Sequence, residues 1–144
     1  MIRNYAAGDL DFVMQIWLDT NRKAHDFIPS HYWHSCFDLV KELLPSAALY
    51  VYENDDASDI AGFIGLNGSD VEGLFVKDTA QSNGIGKQLL DYAKSIKDTL
   101  RLHVYQKNER AIRFYQRENF IVQSEAADDR TGEHEFVMVW NKTP

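Results

Sequence analysis

The stretch that most constrains the fold of this chain is Gln81-Ser82-Asn83-Gly84-Ile85-Gly86-Lys87. It lies between a β-prone run, "DVEGLFV" at 70–76, and a run of helical spacing whose apolar face is Ile85, Leu89, Leu90, Ala93 and Ile96. Two glycines so near a helix start carry a backbone-entropy cost, so a geometric reason for them is expected. A strand that turns through glycines into a helix offers exposed amides at the positive end of the helix dipole, which is a cradle for an anion. Three patterns compete for the stretch. A dinucleotide fingerprint needs G-x-G-x-x-G, and Leu89 stands where the third glycine belongs. A P-loop needs G-x-x-x-x-G-K-[ST], and Gln81 and Gln88 replace its first glycine and its hydroxyl. The third, Q/R-x-x-G-x-G/A, is met at Gln81, Gly84 and Gly86.

The surrounding periodicity gives an element order. "MIRNYA" reads as a first strand. Leu10, Val13, Met14, Trp17 and Leu18 then have helical spacing behind Asp9, a suitable N-cap. Pro29 interrupts, and Ser30 is positioned to cap a second helix carrying Trp33, Phe37, Val40 and Leu44, limited by Pro45. "ALYVYE" and "IAGFIGLN" read as an antiparallel hairpin about the acidic turn "NDDASD", and "DVEGLFV" as a third strand. After the glycine helix come a strand, "LRLHVYQ", a short amphipathic helix, "NERAIRFYQREN", and a closing hairpin of "FIVQSEA" and "HEFVMVW" about "ADDRTGE". The order β-α-α-β-β-β-α-β-α-β-β predicts an α/β protein of the α+β type, with a mixed sheet flanked by helices.

Composition narrows the function. A chain of 144 residues suits one domain spanning 1–144, and no run approaches the roughly 20 apolar residues of a membrane span. "MIRNYAAGDLDF" holds no signal-like apolar run, and a lone Cys36 excludes an internal disulfide framework, so a reducing compartment, the cytoplasm, is expected. The net charge is −7, yet residues 87–117 carry 8 Lys and Arg against 3 acids, while residues 1–83 carry 5 against 13. That contrast is met either by solvated helix faces or by a local anion site facing an acidic region suited to a cation. Broad nucleic-acid binding is disfavoured, since it requires an extensive basic surface.

The glycine pattern has a companion. "VEGLFVKDTAQSNGIGKQLL" and "NERAIRFYQRENF" together resemble the cofactor-binding and second signatures of the GNAT superfamily of acyl-CoA-dependent N-acetyltransferases. The element order matches that fold from end to end. "AHDFIPSHYW" and "VYQKN" look most similar to small bacterial members that acetylate proteins or small amines. The resemblance implies a mostly antiparallel sheet of about seven strands with about four flanking helices. It also implies acetyl-CoA as cosubstrate, no metal, and direct attack of a primary amine (protein lysine, protein N-terminus or small amine) in a ternary complex. A monomer or homodimer is expected.

Residue by residue, the resemblance implies that the strand splays at Leu74, Phe75 and Val76, where it pairs with the pantetheine arm. Gln81, Ser82, Asn83, Gly84, Ile85, Gly86 and Lys87 would hold the diphosphate. Asn108 would approach the pantetheine or cap its own helix. Arg110, Arg113 and Arg117 lie on or beside the helix face opposite Ala111 and Phe114, either as exposed charges or with one of them reaching the 3′-phosphate. Tyr115 would donate to the leaving thiolate. Asn119 replaces the glycine common at this helix stop, and asparagine also adopts the left-handed cap.

An ammonium must lose a proton before attack, and Glu72 is the candidate base, with Asp70 behind it. Strict alternation puts Asp70, Glu72, Leu74 and Val76 on one face, and Gly73 suits a bulge or a close backbone approach. His25, Phe27, Trp33 and Asp70 are the expected acceptor-side residues, with Ile28 and Tyr32 nearby. His31 and His34 lack a third ligand, so no metal is expected. Two alternatives stand: a non-catalytic acyl-CoA-binding module, and a toxin-like acetyltransferase of aminoacyl-tRNA.

Overall fold

The computed structural model describes residues 1–54, 59–80 and 84–142, with Thr79 described for its backbone only. The strands are β1 (Ile2–Asn4), β2 (Ala48–Glu53), β3 (Ile60–Asn67), β4 (Asp70–Val76), β5 (Thr99–Tyr105), β6 (Ile121–Ala127) and β7 (His134–Asn141). The helices are α1 (Leu10–Ala24), α2 (Ser30–Leu43), α3 (Ile85–Ile96) and α4 (Glu109–Arg117). The strands form one seven-stranded sheet in the order β1-β2-β3-β4-β5-β7-β6. Every neighbouring pair is antiparallel except β4 and β5. Their parallel relation follows from the crossover through α3, since parallel neighbours need a long connection. The mixed, mostly antiparallel sheet with four helices is the architecture the sequence pattern implies. The closing hairpin inserts its second strand, β7, between β5 and β6.

Both faces of the sheet are covered, which is why β3 reads as an unbroken apolar run and is buried from Ile60 to Leu66. On one face α3 packs Leu89, Leu90 and Ala93 against Ile64, Leu66, Leu100 and Met138. On the other, α1 brings Val13, Ile16 and Trp17, and α2 brings Trp33, against Leu49, Val51 and Phe63.

Two helix starts differ from expectation. Asp9 precedes α1 without capping it. Its carboxylate accepts from the Ala6 N–H at 2.8 Å and from Arg3 at 2.8 and 2.9 Å, and the guanidinium holds it below the ordinary carboxylate range. Ser30 is the first residue of α2; Pro29 is the N-cap, and the Ser30 hydroxyl accepts from Arg22 Nε at 3.0 Å. An intervening ion pair and a cation have outcompeted the local backbone bonds. Asn119 does adopt the left-handed conformation, at φ 70°. The acidic turn at Asp55–Ser58 lies outside the described residues.

Two irregularities in β4 shape everything downstream. Leu66 pairs with Val71 and Gly65 with Gly73, so Glu72 is an extra residue, a β-bulge beside the glycine. The bulge breaks the strict alternation read from the sequence. Val71, Leu74 and Val76 pack with the α3 layer, whereas Phe75 packs with the α1–α2 layer. Glu72 shares the α1–α2 side, its Cβ lying 3.9 Å from where a Cβ on Gly65 would stand. The second irregularity is the parallel pair itself. Among the described residues, β4 and β5 pair in register only at Asp70 and Arg101. From there the strands diverge, and the wedge opens toward Leu74–Val76.

Candidate active site

The wedge leads into a cavity of about 440 Å³ whose floor is Leu74, Phe75 and Val76 and whose rim is Gly84, Ile85, Gly86 and Lys87. Gly84 is the N-cap of α3 at φ 79°, a left-handed conformation that side chains with a Cβ resist. Gly86 has a different reason. A Cβ there would meet only ordinary contacts, 3.6 Å from the Phe114 ring and 3.7 Å from Val76. Packing alone does not demand glycine at 86, and the space it leaves open belongs to the cavity. Ile85 is buried, so what it can offer a ligand is its backbone. The Lys87 ammonium lies 3.0 Å from Glu118 and 3.3 Å from Asp91. Arg110 and Arg117 also line this cavity, and Arg113 does not. Gln81, Ser82 and Asn83 lie outside the described residues.

A second cavity, of about 790 Å³, lies on the α1–α2 side. Trp17, Trp33, Phe63 and Tyr105 contribute aromatic walls, and Glu72, Asp128 and Glu135 contribute acids. The two cavities share Asn21, His25, Leu74, Phe75, Asn108, Ala111 and Tyr115 as lining. Tyr115 is buried, packed against Phe114 and Phe120 at centroid separations of 5.2 and 5.4 Å. Its hydroxyl is protonated at neutral pH, as an ordinary phenol is, and burial raises its pKa further, so it is available as a hydrogen-bond donor.

Asn108 fills the capping role, its Oδ1 accepting from the Ala111 N–H at 3.2 Å, while its amide nitrogen lies 3.2 Å from His25 Nε2. His25 sits at the end of α1 among Phe27, Trp33 and Tyr105, and burial lowers its pKa to about 4. It is a neutral imidazole at physiological pH.

The predicted acceptor residues do not all gather. His25 and Trp33 line the larger cavity; Phe27 stands behind them, edge-on to His25 and Tyr105. Asp70 lies in a third, outer cavity with its carboxylate 2.9 Å from Arg101 Nε, so its charge is already matched. Glu72 lines both the outer cavity and the larger one. His31 and His34 are exposed on α2, and no metal-sized group of His, Cys, Asp and Glu forms among the described residues.

Sequence reasoning missed Tyr105, Asp128 and Arg130. The Tyr105 hydroxyl donates to Asp128 at 2.6 Å, and Arg130 Nε lies 3.6 Å from the same carboxylate. Burial pushes the Asp128 pKa up, but these partners more than offset it and leave the group below its ordinary value. The available signal was the polar loop "ADDRTGE" in the closing hairpin, which carries no spacing that names a partner.

The acetyltransferase (GNAT) domain profile matches residues 45–122. The chain is 34% identical over 142 residues to the peptidyl-lysine N-acetyltransferase YiaC of Escherichia coli strain K12, covering 97% of this chain and 96% of the relative. It is 31% identical over 120 residues to peptidyl-lysine N-acetyltransferase YjaB of the same strain, covering 83% and 81%. The solution structure of apo YjaB from Escherichia coli superposes with a TM-score of 0.87 at 27% identity, covering 99% and 98% of the two chains. A Vibrio cholerae spermidine N-acetyltransferase in complex with CoA and spermine shares the fold at TM-score 0.71 and 17% identity, covering 99% and 95%.

Proposed function

The chain belongs to the GNAT acetyltransferases, enzymes that move acetyl from acetyl-CoA to an amine, and on that premise we propose how its own residues divide the work. Leu74–Val76, Gly84 and Gly86 hold the pantetheine and diphosphate in the smaller cavity. The acceptor amine enters through the larger one. The observation that carries this reading is that Tyr115 lies in the wall common to both cavities.

The chemistry then follows from position. Glu72, on the bulge facing the larger cavity, takes a proton from the incoming ammonium, directly or through water. The freed amine nitrogen bonds to the thioester carbon, the C–S bond breaks to release the sulfur as a thiolate, and the second proton that the nitrogen sheds leaves to solvent. Tyr115, protonated as a phenol is at neutral pH, donates a hydrogen bond to the departing sulfur. Asn108 caps α4 and so fixes the helix that carries Tyr115. The acidic walls favour a cationic acceptor, and the names of the two Escherichia coli relatives support a protein lysine. The spermidine enzyme has only the fold in common, and supports a small amine less.

Incubation with acetyl-CoA and a lysine peptide should release free thiol and add one acetyl group by mass. Glu72→Gln should lower kcat/KM by about 10²-fold and remove its acidic pH limb. An unaltered pH profile would give the proton to another group.

A further inference from the structure

Lys87 and Glu118 each carry the wrong sign for the helix end where they stand. Lys87 is the third residue of α3, where the exposed amides already make the helix end positive. Glu118 is the C-cap of α4, at the end that orphan carbonyls make negative. Neither residue type is explained by its own helix. Each is matched by the other across 31 positions of chain, with the Lys87 ammonium 3.0 Å from the Glu118 carboxylate. Asp91, one turn further along α3, stands 3.3 Å from the same ammonium. Both members of the pair line the smaller cavity, and Asp91 does not. Glu118 is the one carboxylate among the described lining residues, alongside the cations of Lys87, Arg110 and Arg117, and its side chain is only 12% exposed. An acid so placed works against an anionic ligand unless it acts on the cation next to it.

We propose that Lys87 exchanges Glu118 for the diphosphate when acetyl-CoA binds and returns to Glu118 when CoA leaves, so that Glu118 sets how tightly both are held. This rests on the reading of the smaller cavity as the acetyl-CoA site. The Cα–Cβ bonds of a helix tilt toward its N-terminus, so the Lys87 stem starts toward Gly84 and the exposed amides. A lysine ammonium rides on a flexible four-carbon stem, and this side chain is 58% exposed, so it can change partner without moving the backbone. Glu118 stays in place meanwhile, because its carbonyl accepts from Lys94 Nζ at 2.5 Å independently of the carboxylate. The cosubstrate must break an ion pair that the protein has already made, and that cost weakens its binding and speeds the departure of CoA.

Calorimetry with acetyl-CoA, CoA and 3′-dephospho-CoA tests the exchange. Glu118→Gln keeps the shape and removes the charge, and should tighten the binding of all three by about threefold to fivefold. A merely bracing role for the pair would leave the affinity unchanged or weaken it, and either result overturns the inference. So does a gain that disappears with 3′-dephospho-CoA, which would give Lys87 to the 3′-phosphate. The melting temperature of Glu118→Gln without cosubstrate should not rise; a rise would assign the gain to a firmer fold and also overturn the inference. Lys87→Met should weaken acetyl-CoA binding by about threefold or more, and it decides the matter if Glu118→Gln does not fold. An unchanged Kd there removes Lys87 from the site and overturns the exchange. With Met already at 87, Glu118→Gln should move the Kd by less than about twofold. A gain as large as in wild type would mean that the carboxylate repels the phosphates directly, which overturns the exchange as well. No acetyl-CoA binding by wild type overturns the reading of the cavity itself, and this inference with it.

Discussion

The smaller cavity, proposed above for the acyl donor, and the larger one, proposed for the acceptor, share a wall but are built on different principles. The donor cavity is organised around backbone features: the edge of β4, a left-handed Gly84 and the first turn of α3. Most of its lining comes from two short stretches of chain, between Leu74 and Lys87 and between Asn108 and Glu118. The acceptor cavity is made of side chains, gathered from Trp17 on α1 to Glu135 on β7. A site of amides recognises a diphosphate through groups that every residue carries, so its residue types are set by what must be absent. A site of aromatic rings and acids recognises through groups that single substitutions replace, so it can change acceptor without disturbing the donor.

That division can be tested, beginning at the wall that both cavities share. Tyr115→Phe should lower kcat by about 10²–10⁴-fold while leaving the acetyl-CoA Kd and the acceptor KM near wild type. A loss expressed in either affinity instead would make the tyrosine part of one cavity and not of the chemistry between them.

Acid should next strike the side-chain cavity. The His25 pKa falls from 6.5 in an ordinary setting to about 4 in the fold. Between those values the unfolded chain binds a proton that the folded chain refuses. The contribution is therefore complete above pH 6.5 and is lost as pH drops toward 4, on the order of 2–3 kcal/mol. Thermal melts should show this decline in wild type and a flatter profile in His25→Phe; identical slopes would remove His25 from the account.

The smallest effect belongs to the backbone site. Gly84→Val places a β-branched residue at φ 79°, costing about 1–2 kcal/mol. It should weaken acetyl-CoA binding by about tenfold, and the acceptor KM should not move. A shift in that KM would join the two cavities into one.

The same division explains what was legible in the sequence. Gly84, Gly86 and Asn108 fall in short local patterns, and all three line the smaller cavity. Gly73 signalled an irregular strand, and the bulge lies beside it. The direction of Glu72 was not legible, because one inserted residue reverses the alternation that period-two reasoning assumes. Asp70 looked equivalent to Glu72 until β5 brought Arg101 to it. Ser30 looked like a cap until Arg22 reached its hydroxyl. Tyr105 and Asp128 are 23 positions apart and meet only through tertiary folding. Local spacing encodes turns and helix ends; partners distant in the chain leave no trace in it.

The single register rung between β4 and β5 bears on more than recognition. Four strands lie on one side of that seam and three on the other, and the sheet is least stitched beside the cavity proposed for the cosubstrate's arm. Cosubstrate bound there would act as a removable strut, adding about 2.7 kcal/mol to folding stability at a hundredfold excess over its Kd. The rigidity of this enzyme would then rise and fall with the supply of the molecule it consumes.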